Sequence, residues 1–180
     1  MSKTAIYGIT HTREQAELIV ERLKADNFSN NDISVLFADK MGTRDFAHEK
    51  HTKAPEGVAT GGASGGIIGG ALGWLIGIGA LAIPGVGPLI AAGPILAALS
   101  GAAVGAAAGG IAGGLIGLGI PEYEARQYET KIKAGGVLIS VHSDNSNETK
   151  RAQEIFEELG AKDIATRSDK SVSKKERALV

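Results

Sequence analysis

Two histidines, His48 and His51, stand three residues apart in the run DFAHEKH, with Asp45 and Glu49 beside them. On a helix that spacing could offer two imidazoles to one metal ion. The run is polar throughout and leads into an uncharged segment, so a solvated approach is the better reading and no metal site is expected. His11 and His142 are single residues, one ahead of a helix and one ending a strand, and neither has a nucleophile to pair with. Glycine runs invite a phosphate-cradling loop, but that motif needs a lysine, and none lies between Lys53 and Lys131. Near GIGALA (77–82) the strand and acidic residue of a dinucleotide fingerprint are both missing from the pattern. The expectation is a protein without catalytic residues or cofactor, and not an enzyme.

One more constellation has chemistry in it. PEYEARQYE places Glu122 and Glu124 in a first helical turn, where the positive end of the helix favours acids. Its tyrosines, Tyr123 and Tyr128, combine an apolar ring with a polar tip, and with Trp74 they are the candidate interface residues.

The elements around these residues divide the chain by composition. From 57 to 120 there is no Asp, Glu, Lys, Arg or His, and 21 of the 26 glycines lie there. All 39 charged residues (19 basic and 20 acidic) fall in the flanks, which therefore read as water-facing. A net charge of −1 and no basic patch among aromatics give no case for nucleic acid. There is no cysteine, hence no disulfide framework. The N-terminal run reads as folded domain rather than as a signal sequence, which points to cytoplasmic flanks.

Along the first flank, KTAIYGI is a strand. Thr12 caps a helix whose apolar face is Ala16, Ile19, Val20 and Leu23, with Gln15 at capping-box spacing, and a second strand runs over 33–38. The second flank opens with a helix from Pro121 that stops at Gly135, then gives the strand GVLISVHS. A helix follows, capped by Ser146 and buried through Ala152, Ile155, Phe156 and Leu159, and then the strand KDIATRS. Joined, the flanks spell a ferredoxin-like βαββαβ domain of the α+β class, with one extra helical connector. The expected divisions are 1–56 and 121–168 for its two halves, 57–120 for an insertion between its second and third strands, and 169–180 for a tail.

Inside the insertion, Gly61, Gly65, Gly69, Gly73 and Gly77 recur every fourth residue, as do Gly101, Gly105, Gly109, Gly113 and Gly117. Each interior glycine costs a helix roughly 0.8–1 kcal/mol relative to alanine. Small residues at this spacing compensate by letting two helix backbones pack closely, as membrane helices do. The spacing predicts helices over 58–80 and 95–119, with Pro84, Pro88 and Pro94 turning the chain between them. The first would be about 34 Å long against a hydrocarbon core of about 30 Å. Lysines and arginines flank the insertion on both sides, so the positive-inside rule puts both ends in the cytoplasm. A homo-oligomer in the inner membrane, touching lipid, is the expected state. The alternatives are a soluble oligomer in the cytoplasm with the hairpins as its core, a small-ligand-sensing module, and a scaffold subunit of a larger membrane complex.

Several runs together resemble the bacterial general stress protein family, also described as heat-induced or low-temperature-induced stress proteins. They are TKAPEG (52–57), the glycine ladders, LAIPGVGPLIAAGP (81–94), GIPEYEARQYE (119–129) and GGVLISVH (135–142). The resemblance covers the chain except its tail. It implies stress-linked expression and membrane association, and supplies no biochemical activity and no catalytic residues.

Overall fold

A computed structural model describes residues 4–38, 79–83, 87–101 and 103–168. Its elements run β1 (Thr4–Thr10), α1 (Arg13–Ala25), β2 (Ile33–Ala38), β3 (Gly79–Ile83), β4 (Gly87–Ala92), α2 (Pro94–Gly101) and α3 (Ala103–Gly117). They continue through α4 (Glu122–Ala134), β5 (Val137–Ser143), α5 (Ser146–Glu158) and β6 (Lys162–Ser168). The fold is mixed α and β, with all strand pairs antiparallel in one six-stranded sheet of order β3-β4-β2-β5-β1-β6.

β5 is the strand that joins the two flanks. It pairs with β1 from Thr4↔Ser143 to Thr10↔Val137, and with β2 from Ile33↔Val141 to Phe37↔Val137. Alternate residues of each strand point to opposite faces, and here both faces are apolar. Ile6, Val35, Phe37, Val137, Ile139 and Val141 meet the buried stripes of α1 and α5. Ala5, Tyr7, Ile9, Leu36 and Leu138 meet α2, α3 and α4 through Ile95, Leu99, Ile111, Leu115, Tyr128 and Ile132. A sheet covered on both faces needs strands that are apolar almost throughout, which is how β1, β2 and β5 read.

The caps follow local chemistry. Thr12 Oγ1 accepts from Gln15 N, and the Gln15 side chain returns to His11 N. The cap of α5 is Asn145 rather than the expected Ser146: its Oδ1 accepts from both Asn147 N and Glu148 N. Gly135 ends α4 in the left-handed conformation, as a glycine stop requires.

The insertion departs from the expected pair of long helices. Residues 79–83 and 87–92 are strands forming an antiparallel hairpin, and β4 pairs with β2 from Val35↔Ala92 to Ala38↔Leu89. β2 would otherwise have left a row of backbone groups unpaired, and short uncharged GALAI and GPLIAA extend the sheet there. Pro88 therefore lies within β4, while Pro94 opens α2, a position where proline loses no hydrogen bond. Between them Gly93 makes the corner at φ +75; a Cβ there would stand 2.1 Å from Ile33 O. The expected helix over 95–119 is two helices, and Gly110, at φ 64 and ψ −152, breaks the second. Among the described residues no helix is long and apolar enough to cross a membrane. The expected helix over 58–80 lies outside the described residues, apart from 79 and 80, which belong to β3.

Candidate functional site

The second ladder can be followed residue by residue. Gly101 ends α2, and Gly105, Gly109, Gly113 and Gly117 lie on α3. Gly109 and Gly117 are exposed and Gly113 is half-buried; a Cβ on Gly109 would meet nothing within 4 Å. α3 turns a different set inward: Ile111, Ala112 and Leu115 are buried in the cluster beneath it. Gly114 is the glycine that packs, since a Cβ there would lie 2.2 Å from Leu99 Cδ2 on α2. Among the described residues the close contact between α2 and α3 thus depends on a residue beside the ladder, while Gly109 and Gly117 face out. Ile116, 42% exposed, lies on the same outer side.

The first ladder (Gly61, Gly65, Gly69, Gly73 and Gly77), Trp74, Pro84, and His48 and His51 with Asp45 and Glu49 all lie outside the described residues. Tyr123 and Tyr128 share α4 and have opposite fates. Tyr123 is 73% exposed, its hydroxyl accepting from Gln127 Nε2. Tyr128 is buried, and its hydroxyl donates to Asp163 O at 2.7 Å on β6. Burial, with Glu124 and Asp163 adding to it, pushes the Tyr128 phenol above its ordinary range.

Tyr128 belongs to a polar seam that ties α4 to the edge strand. Lys131 pairs with Asp163 and Arg167 with Glu124. Glu124 Oε2 and Arg167 Nε are shielded from solvent and have no hydrogen-bond partner among the described residues. The composition of PEYEARQYE marked this helix, but nothing in the sequence matched Tyr128 to the backbone of Asp163. Asp163 itself takes φ 49, beside a register shift in the β1–β6 ladder between Tyr7 and Ile9.

At the opposite end of β5, His142 pairs through its backbone N–H with Asp32 O. It lines a cavity of about 440 Å³ with Asp26, Phe28, Asp144, Asn145 and Arg151. The positive end of α5 opens here, but Asn145 and the Glu148 carboxylate, which accepts from Asp144 N, already satisfy it. No group of three or more histidines, cysteines or acids suited to a metal occurs among the described residues.

The surface with most to offer is therefore the outer side of α3, small, apolar and uncharged at Gly109, Ile116 and Gly117, with exposed Tyr123 following on α4. Such a surface favours close contact with another apolar surface. The chain matches no protein-family model, no curated protein and no solved structure.

Proposed function

We propose that the chain is a non-enzymatic, self-associating protein of the stress-response type, built on a ferredoxin-like core and joined to its copies through the ladder face of α3. The observation that carries this reading is the placement of Gly109 and Gly117 on the exposed side of a helix whose other side is filled. Among the described residues a Cβ on Gly109 would meet nothing within 4 Å, and small residues on an exposed helix side admit the close approach of a helix from a second copy. The strand order β2-β5-β1-β6, with α1 and α5 packed on one face, supports the ferredoxin-like reading of the core. The stress-response assignment rests on the resemblance of the glycine and proline motifs alone.

Attachment to the inner membrane, with both flanks in the cytoplasm, is the second reading. It is favoured by the 64 residues from 57 to 120 that carry no charge.

One preparation tests both. Lysate from cells expressing untagged protein is ultracentrifuged before and after an alkaline carbonate wash, and the soluble fraction is run in sedimentation velocity. A defined soluble oligomer that is lost in Gly109→Leu and Gly117→Leu, with circular dichroism unchanged, supports association through α3. Retention in the carbonate-washed pellet supports the membrane reading. A soluble monomer at all concentrations overturns both.

A further inference from the structure

The two edges of the sheet are unlike. β6 carries Lys162, Asp163 and Arg167, and its ladder with β1 shifts register between Tyr7 and Ile9. Charges and bulges of this kind keep an edge strand from pairing with another chain. β3 at the other edge reads GALAI, with no charge and no proline, and among the described residues it pairs with β4 alone. An uncharged, proline-free edge is a template for a further strand.

The order of residues in β3 selects which strand. Laid antiparallel on its own copy about Leu81, it sets Leu81 opposite Leu81, Ala80 opposite Ala82, and Gly79 opposite Ile83. No like charges meet, and the one large terminal residue falls opposite the one glycine. A two-fold contact requires this kind of self-complementarity. A five-residue edge falls well short of the roughly 800 Å² per partner that a stable interface buries. α3 contacts β3, so an axis through Leu81 also brings two α3 helices onto the same face of the continued sheet.

We propose that β3 is the docking edge for β3 of a second copy, antiparallel and centred on Leu81, so that the sheet runs on across the dimer. This rests on the self-association proposed above and gives it a geometry.

The chain has no cysteine, so a single introduced thiol reports one position. Full-length Leu81→Cys is treated with a short bis-maleimide, alongside Lys150→Cys on the exposed side of α5, and Gly79→Cys is mixed with Ile83→Cys. Sedimentation velocity is run on the unmodified protein and on Leu81→Lys. Cross-linking of Leu81→Cys and of the 79/83 mixture, none for Lys150→Cys, and loss of the dimer in Leu81→Lys is the expected result. An oligomer that persists while Leu81→Cys fails to cross-link overturns the β3 edge and leaves self-association standing. A monomer at every concentration overturns both. Should Leu81→Lys fail to fold, the cysteine pairs still decide.

Discussion

Leu99 Cδ2 lies 2.2 Å from the place a Cβ at position 114 would occupy. That relationship sets how closely α2 and α3 approach, and Leu99, 3% exposed, has little room to yield. Two glycines five residues apart on α3 consequently have opposite roles. Alanine at 114 gains roughly 0.8–1 kcal/mol of helix propensity but overpacks the contact at a cost of about 1–3 kcal/mol. Gly114→Ala is expected to destabilise, while Gly109→Ala, which meets open space, is expected to stabilise by up to about 1 kcal/mol. Urea unfolding of the two variants checks the difference in sign.

The corner between β4 and α2 depends on two residues far apart in sequence. Ser34 Oγ on β2 accepts from Ile95 N in the first turn of α2, in a buried position. Ser34→Ala leaves that N–H without a partner and should cost about 1–3 kcal/mol. Gly93→Ala should be worse, because the new Cβ meets Ile33 O at a φ that side chains rarely adopt. Denaturant midpoints order the variants; equal stability of Gly93→Ala and the parent would exclude this corner.

Stability should fall above about pH 10 through Tyr128. Its phenol is raised in the folded state, chiefly by burial, from an ordinary value of 10.0. The unfolded chain therefore releases the proton first, and the stability held by the neutral phenol is lost as pH climbs through the folded value. Tyr128→Phe should cost about 1 kcal/mol near neutrality by losing the bond to Asp163 O. The gap should close as the pH passes 10, a trend that equilibrium unfolding at pH 8, 10 and 11 would reveal or deny.

Glu17 titrates in the same sense at lower pH. Partial burial, then Glu14 and Glu21, raise its carboxyl above the ordinary 4.5, while Arg13 lowers it. The protonated form is the one the fold favours, so its contribution is present below 4.5 and is lost as pH rises through the shifted value. Glu17→Gln should therefore have a higher Tm than the parent at pH 7, and the advantage should shrink toward pH 4. A constant difference across that range would contradict the shift.

The flanks were legible because their signals are local. The stripe Ala16–Ile19–Val20–Leu23, the Thr12 cap and the glycine stop at Gly135 each need only a few neighbouring residues, and each stands where its spacing put it. Asn145 displaced Ser146 as a cap by one residue, a choice that either side chain satisfies chemically. The insertion was less legible because glycine, alanine and leucine carry little period of their own. In GALAI and GPLIAA, an unpaired edge of β2 decided for strand. The ladder spacing marked glycines important to a helix, yet which of them packs depended on where Leu99 falls, a tertiary fact. The tie between Tyr128 and Asp163 spans 35 residues and has no sequence signal at all.

The register Phe37↔Val137 closes a loop of 100 residues (137 − 37), because the whole insertion lies between β2 and β5. Compared with a hairpin loop of about four residues, that closure costs about 3 kcal/mol more in chain entropy. Pairing Ile83 with Gly87 closes almost nothing. The order of events in folding is thereby biased: the β3–β4 hairpin and the single helices can form early, while the central β2–β5 seam must wait for distant segments to meet. Until it closes, two uncharged strands and an apolar helix face stand open, so the interval before that seam forms is when the chain is most exposed to pairing with the wrong partner.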